Sequence, residues 1–312
     1  KRMVNKKRVL TSEEVREFKQ AMASVDWTRD PAARRAIAET IVKDVRQDVE
    51  QDDLIRLMGV DVQYFDEGQS VQFRTRRGMK AYVHAPGSLA PRSTMTTNTV
   101  VLTTELSSVH PELEIGQLTS GRYGSIQDIR NEAKTELLGS QYATIWNALI
   151  ASVPAAQAGT SYWTYASTVT AAAQKNCLVS GFNYVADVVG SEITAIVGRR
   201  NALGFLQDYS AYTTHAPSDQ LRSELESNPF IGSYRGVPVI MLNQYNDGYG
   251  VNRITNSNIM ILGKDTIKMG VDRPVGVEET IDVDTLNWHM HIYTKFGTAV
   301  VLPTRNARIY IS

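Results

Sequence analysis

The stretch that decides the fold is residues 125–151, SIQDIRNEAKTELLGSQYATIWNALIA. Apolar side chains recur there at three- and four-residue steps, which places on one helical face Ile126, Ile129, Ala133, Leu137, Ile145 and Leu149. Ser125 and Asp128 have the spacing of a helix-capping pair, and Pro154 ends the pattern. A helix over residues 125–153 is about 40 Å long, too long for the interior of a compact domain of ~100 residues. The sequence therefore predicts a strut along an elongated molecule.

Two further helices are predicted upstream of this strut. Thr11 and Glu14 form a capping box, and Asp30 followed by Pro31 is a strong helix start. The second helix spans about 19 residues. Its apolar face consists of Ile37, Ile41, Val45 and Val49. Its other face is charged and is assigned to solvent or to a partner: Arg34, Arg35, Lys43, Asp44, Arg46 and Asp48.

Between these helices and the strut, the apolar period changes to two. Val71 and Phe73 alternate with polar residues, and a second alternating run covers residues 100–106. The stretch between them, 84–98, is polar and contains Pro, Ser and Thr. This pattern predicts an extended hairpin over residues 61–106. Because a two-stranded hairpin cannot bury a core alone, we expect it to lie on another subunit.

The chain beyond the strut has an α+β pattern. Small helices are predicted at 167–178 and 199–208, the second entered through Gly198. Residues 243–253 are a predicted loop rich in Gly, Asn and Asp. Strands are predicted at 184–189, 193–197, 237–241, 259–262, 288–293, 299–302 and 308–311.

Composition narrows the class of protein. The chain has 312 residues, 42% of them hydrophobic, which is enough for a sizeable core. Its single cysteine, Cys177, excludes an intrachain disulfide and favours a reducing compartment. Lys plus Arg and Asp plus Glu both number 33, whereas a nucleic-acid reader usually has a basic surplus. No apolar run is long enough to span a membrane.

The sequence offers little catalytic chemistry. His289 and His291 share one strand face and could hold a metal, but no further ligand follows at a characteristic spacing. The other histidines, His84, His110 and His215, are isolated in the sequence. Nucleotide-binding, hydrolase and metalloprotease motifs are absent, and no cofactor is expected.

The tryptophans are interpreted mainly as packing residues. Trp146 and Trp288 are expected to be core anchors. Trp163 belongs to an aromatic stretch, residues 161–165, which is predicted to be a loop in local packing or at a subunit contact.

Taken in chain order, these elements resemble the major capsid protein family of tailed bacteriophages, which has the Hong Kong 97-like fold. The resemblance rests on order and spacing over nearly the whole chain beyond about residue 60. The matching stretches are residues 78–92 (GMKAYVHAPGSLAPR), the helix at 125–151, residues 193–207 (ITAIVGRRNALGFLQ), residues 228–241 (NPFIGSYRGVPVIM), and the closing strands at 269–271 and 287–308.

The resemblance implies a division of the chain. It comprises an N-terminal helical arm (1–60), an extended hairpin loop (61–106), a peripheral domain with the spine helix (107–179), an inserted axial domain (180–265) and closing peripheral strands (266–312). It also implies a non-enzymatic structural protein that assembles into pentamers and hexamers of an icosahedral head around double-stranded DNA.

The resemblance further implies partners and contacts. The expected partners are other copies of the chain, a portal, scaffold or decoration proteins, and packaged DNA held without sequence preference, with no membrane. The expected location is the virion, after assembly in the host cytoplasm. Contacts between subunits are expected at Arg76, Arg77, Lys80, Tyr82, Pro86, Arg92, Tyr245 and Tyr249.

Some members of the family join subunits by a Lys–Asn isopeptide bond, and Lys80 and Asn306 are formal partners for one. The sequence does not show a carboxylate beside them, and most members of the family lack the bond, so the crosslink is not expected. Two other functions stay open at this point: an encapsulin-type nanocompartment shell around a protein cargo, and a metal-dependent enzyme using His289 and His291.

Overall fold

The computed structural model of the chain describes residues 29–50, 52–66, 68–77, 95–116, 126–166, 169–207, 230–243, 252–254, 257–282 and 284–311. Within these ranges the chain is α+β and groups into two units. The first unit comprises Lys1–Gln51, Ser107–Leu137 and Pro274–Thr294. The second comprises Asp52–Leu106, Leu138–Arg273 and Lys295–Ser312. The division into arm, hairpin loop, peripheral and axial domains stays a prediction.

Helix α1, Pro31–Glu50, begins where the sequence predicts. The Asp30 carboxylate accepts a hydrogen bond from the Ala33 N–H at 3.0 Å, which caps the first turn. The predicted apolar face is buried, since none of its members exceeds 7% exposure: Ile37, Ile41, Val42, Val45 and Val49. A short helix, α2 (Asp53–Leu57), follows. The Asp52 side chain caps it by accepting a hydrogen bond from the Ile55 N–H. The helix predicted from Thr11 lies outside the described residues.

Arg34 departs from the prediction that the charged face of α1 lies in solvent or against a partner. It is buried, and its Nε donates to Glu279 Oε2 at 3.1 Å. The same carboxylate oxygen accepts from Trp288 Nε1 at 3.0 Å. The core of the first unit lies around this ion pair and includes Ile37, Ala38, Ile41, Leu113, Trp288 and Met290.

The predicted strut is helix α3, Ile126–Ser152, of 27 residues. The described part of its predicted face is confirmed, since four residues are at most 2% exposed: Ala133, Leu137, Ile145 and Leu149. Trp146 is 1% exposed and is the core anchor that the sequence predicts. Ser125, the predicted cap, lies outside the described residues.

Arg308 fixes the end of α3 within the second unit. Its Nη1 donates to the carbonyls of Ile150 at 3.2 Å and Val153 at 3.1 Å. Its Nε donates to Asn258 Oδ1 at 2.9 Å, and its guanidinium lies 5.1 Å from the Tyr162 ring centroid. Carbonyls at a helix C-terminus have no intrahelical donor and carry the negative end of the helix dipole. A forked cation is therefore well suited to this position.

We predict that Arg308→Met lowers the free energy of unfolding by about 2–3 kcal/mol, because charge-assisted hydrogen bonds to buried carbonyls are lost. Arg308→Lys should recover only part of this, since an ammonium lacks the planar fork. Urea unfolding followed by circular dichroism measures both. The control is Arg200→Met at an exposed position, which should change stability by less than about 0.5 kcal/mol. An Arg308→Met effect no larger than that control would contradict the prediction.

The described strands form three sheets, with these bounds in chain order: β1 Asp61–Tyr64, β2 Gln72–Arg77, β3 Thr96–Val101, β4 Glu105–Val109, β5 Glu112–Glu114, β6 Tyr162–Tyr165, β7 Ile193–Arg199, β8 Phe230–Tyr234, β9 Val237–Leu242, β10 Asn258–Gly263, β11 Ile267–Asp282, β12 Asn287–Val300 and β13 Ala307–Ile311. One sheet has the order β1-β11-β12-β4, with β5 also paired to β12. A second has the order β6-β13-β10-β7-β9-β8, and β2 and β3 form a separate pair.

The six-stranded sheet belongs to the second unit and carries a hydrophobic core cluster. It is mixed, with β6–β13 and β7–β9 parallel and the other pairs antiparallel. Helix α4 (Ala171–Asn183) packs on β6 and β13. Strand β7 is followed directly by the short helix α5 (Arg200–Leu203), as predicted. The alternation predicted for β12 is also confirmed, because Trp288, Met290 and Ile292 are at most 1% exposed.

Two predictions of local structure are wrong. Residues 184–189 are predicted as a strand, but Tyr184–Val188 is a π-helical turn that continues α4 and ends before Gly190. Because no helix breaker follows α4, these apolar residues extend the helix. Residues 161–165 are predicted as a loop, but they include β6, which pairs with β13. Tyr162 and Tyr165 are buried there, and Trp163 packs against the same core.

Candidate subunit-interaction surface

The predicted hairpin is present as an antiparallel pair, β2 and β3, here called the hairpin arm. Its register runs from Gln72 opposite Val101 to Arg77 opposite Thr96. The second predicted run is divided, because β3 ends at Val101 and β4 begins at Glu105. Residues 78–94, which connect the two strands of the arm, lie outside the described residues.

The base of the hairpin arm is anchored in the second unit. Val71, Phe73 and Leu102 form a buried cluster with Val301. Phe65 packs edge-on against Phe73, with ring centroids 5.8 Å apart. The segment at Thr103 passes close to Gly297 of β12. This close contact requires a glycine, since a Cβ at Gly297 would lie 2.5 Å from the Thr103 carbonyl oxygen. The base is therefore fixed by packing inside the subunit.

The rest of the arm has no such cover within the described structure. Thr96, Thr97, Asn98 and Thr99 are all exposed, although alternate residues of a strand point to opposite faces. On β2, Gln72 and Arg74 are exposed as well. A two-stranded ribbon with both faces in solvent is at best marginally stable. This part of the arm needs additional contacts to become a stable element.

Exposed apolar side chains are concentrated around the arm. Eight large hydrophobic side chains are exposed among the described residues. Four of them lie on the arm or in the segments next to it in sequence: Tyr64 (54%), Met95 (49%), Val101 (63%) and Leu106 (54%). Two of the four, Met95 and Val101, lie directly before β3 and at its last residue, so the arm itself presents apolar groups to solvent.

The structure locates only part of the predicted contact residues. Arg76 and Arg77 lie on β2, opposite Thr97 and Thr96 respectively. The other six, Lys80, Tyr82, Pro86, Arg92, Tyr245 and Tyr249, lie outside the described residues. Their role in subunit contacts stays a prediction.

The environment of Asn306 bears on the crosslink. Asn306 is completely buried, and its Oδ1 accepts a hydrogen bond from the Gly263 N–H at 3.2 Å. Asn306 thus links β10 to the start of β13 within the subunit. The expectation that no crosslink forms stays a prediction.

The histidines correct another prediction. His110, predicted to be isolated, stacks on His291 with ring centroids 4.1 Å apart and planes 15° apart. His289 instead has its Nε2 4.0 Å from Glu112 Oε1. The two strand histidines thus contact different partners. Within the described ranges, no group of three or more His, Cys, Asp or Glu residues is arranged to hold a metal ion.

Two further features concern reactivity and membranes. Cys177 is half-buried against the core of the second unit, and burial raises the pKa of its thiol. The protonated thiol is the less reactive form. None of the described helices is long and apolar enough to cross a membrane.

Comparison with solved structures places the fold. The virus-like particle of Pyrococcus furiosus aligns over 88% of this chain and 99% of its own, with a TM-score of 0.55 and 11% identity. A chain from Mycobacterium phage Ogopogo aligns over 84% and 92%, with a TM-score of 0.57 and 14% identity. The capsid of the cyanophage P-SCSP1u aligns over 81% and 86%, with a TM-score of 0.55 and 12% identity. No protein-family model and no curated protein sequence matches the chain.

These alignments cover most of the chain and most of each solved structure. The chain therefore has the Hong Kong 97-like capsid fold, an α+β architecture shared with shell proteins of phages and virus-like particles. Identity this low establishes the fold, and the function has to be argued from the molecule itself.

Proposed function

We propose that the chain is the major capsid protein of a tailed bacteriophage, a structural subunit without a catalytic role. The observation that carries this proposal is the hairpin arm. Its base is packed into the second unit, whereas its outer part exposes both faces and has exposed apolar residues around it. A second copy of the chain would provide the missing backbone and apolar partners.

In this proposal the copies form pentamers and hexamers of an icosahedral head. The axial domain, residues 180–265, would surround the axes. Within the hairpin loop, residues 61–106, the part beyond the packed base would lie across a neighbouring subunit. Subunit contacts would involve Arg76, Arg77, Lys80, Tyr82, Pro86, Arg92, Tyr245 and Tyr249. Support comes from the fold shared with phage capsid chains.

The proposed cargo is double-stranded DNA, held without sequence preference. Zero net charge is compatible with this, because DNA driven into a shell by a motor does not need a strongly attractive wall. A portal, and scaffold or decoration proteins, would be further partners. Assembly would take place in the host cytoplasm, and the mature protein would be found in the virion.

A nanocompartment shell of the encapsulin type is the second candidate. One observation favours it: the virus-like particle of Pyrococcus furiosus aligns with this chain over 99% of its own length. Both candidates are self-assembling shells and differ in what they enclose. The hypothesis of an enzyme loses its main support, because His289 and His291 contact different partners.

We expect the purified recombinant protein to form closed polyhedral shells, or rings of five and six subunits. Negative-stain electron microscopy with light scattering on the same sample tests this. A monomer or dimer at every concentration would contradict the proposed function. Nuclease-resistant DNA in shells recovered from infected cells would support the phage head, whereas an enclosed protein in shells free of DNA would support the nanocompartment.

A further inference from the structure

Three of the five histidines of the chain lie near one corner of the first unit. The corner segment, defined here as residues 107–114, contains the last three residues of β4 and all of β5, and it is paired with β12. Trp288 lies opposite Leu113 and His289 opposite Glu112 in this pairing. The Met290 N–H donates to the Pro111 carbonyl at 3.0 Å. The corner segment is thus held to β12 by strand pairing and by side chains.

The stacked pair His110–His291 lies at the centre of this contact. With ring planes 15° apart and centroids 4.1 Å apart, the imidazoles lie face to face. His291 Nε2 is buried and has no hydrogen-bond partner among the described residues. His110 is exposed, and its Nε2 lies 3.1 Å from Ser108 Oγ. A neutral pair is well accommodated here, whereas two imidazolium ions would repel each other over this short distance.

The charged groups around the pair do not cancel this repulsion. Glu278, on β11, favours protonation of His291, but burial and the neighbouring His110 act against it and come first. Glu112, on β5, lies near His289, and Asp282 also interacts with His289. Tyr293 is also close: its ring centroid lies 5.1 Å from that of His291, and its hydroxyl donates to Glu278 Oε1 at 3.4 Å.

We infer that the His110–His291 stack is a pH-sensitive contact that releases the corner segment from β12 when the His291 imidazole takes up a proton. This inference does not depend on the proposed shell function, because all participating groups belong to one unit of one chain. It assigns a role to His110, which looks isolated in the sequence.

The direction of the pH effect follows from the pKa of His291, which burial and His110 lower from the ordinary value of 6.5. Above that value His291 is neutral whether the contact is closed or open, so pH does not change the equilibrium between the two forms. Below it the open form binds the proton first, and closing becomes less favourable as the pH falls towards the lowered pKa. The population of the open form should rise by at most about tenfold per pH unit for one linked proton.

Hydrogen exchange with mass spectrometry on the full chain tests this at about pH 7.5 and about pH 5.5, on either side of the histidine range. After correction for intrinsic exchange, peptides from residues 107–116 and 287–293 should lose protection at the lower pH. Peptides from Ile193–Arg199 in the second unit should not change. Unchanged protection in the first two segments, or an equal loss in all three, would overturn the inference.

Two variants identify the responsible groups. His291→Phe keeps an aromatic ring in the stack without a titrating nitrogen, and His110→Gln removes the imidazole on the exposed side. His291→Phe should remove most of the pH-dependent loss of protection and His110→Gln should reduce it, whereas His215→Gln should behave like the wild type. If His291→Phe does not fold, His110→Gln decides the question. A wild-type response in the folded variants would show that the stack is not the cause.

Discussion

Deletion of residues 78–91 should leave a folded subunit that no longer closes into shells. The deletion joins Arg77 to Arg92, so that residues 92–95 connect β2 to Thr96, the partner of Arg77 in the ladder. Four residues are a common length for a hairpin loop. The buried cluster of Val71, Phe73, Leu102 and Val301 is untouched, so the base of the arm should keep its packing.

Electron microscopy and light scattering of the deletion variant measure assembly, and circular dichroism measures folding. A matched control replaces residues 78–91 by a Gly/Ser linker of equal length, which keeps the loop length and removes its side chains. Loss of shells in both proteins would assign the contact to the side chains and backbone of the native loop. Shells formed by the control alone would indicate that loop length is the essential property. Stable shells formed by the deletion variant would contradict the proposed role of the hairpin arm.

The second large effect is expected at the buried ion pair of the first unit. Glu279→Ala should lower the free energy of unfolding by about 3–5 kcal/mol. The substitution removes the carboxylate that pairs with Arg34 Nε and accepts from Trp288 Nε1. Both of those groups lie in a buried environment, where the loss of a charged partner is costly.

A double variant separates charge from packing. Arg34→Met with Glu279→Gln removes both charges and keeps an amide oxygen near Trp288, so its stability should lie within about 1–2 kcal/mol of the wild type. Glu39→Ala is the control, because Glu39 pairs with Arg35 on the exposed face of the same helix, and it should cost less than about 0.5 kcal/mol. Urea unfolding measures all three proteins. A loss below 1 kcal/mol for Glu279→Ala would mean that the ion pair contributes little.

Elements with a regular period are predictable from the sequence. The apolar steps from Ile37 to Val49 define α1, those from Ala133 to Leu149 define much of α3, and the alternation around Trp288 defines β12. In each case the pattern and its structural result lie within one continuous segment. Burial of one face is sufficient to select the helix or strand.

Interactions between distant segments are not predictable in this way. Arg34 belongs by its position to a charged helical face, and only the approach of Glu279 from β11 explains its burial. His110 has no histidine near it in sequence, and the pairing of the corner segment with β12 brings it to His291. For the interaction surface, the polar hairpin indicated the region, whereas the exposed apolar residues around it, such as Val101, required the structure.

The order of strands in the six-stranded sheet has a consequence for biosynthesis. Strand β13 lies between β6 and β10, although β6 is made far earlier in translation. Until residues 307–311 have been synthesised, β6 has no partner in the sheet and one edge of β10 is unpaired. A nascent chain therefore cannot complete this sheet before residues 307–311 have been translated. Such long-range pairing favours slow, late folding, and incomplete chains expose strand edges that invite aggregation.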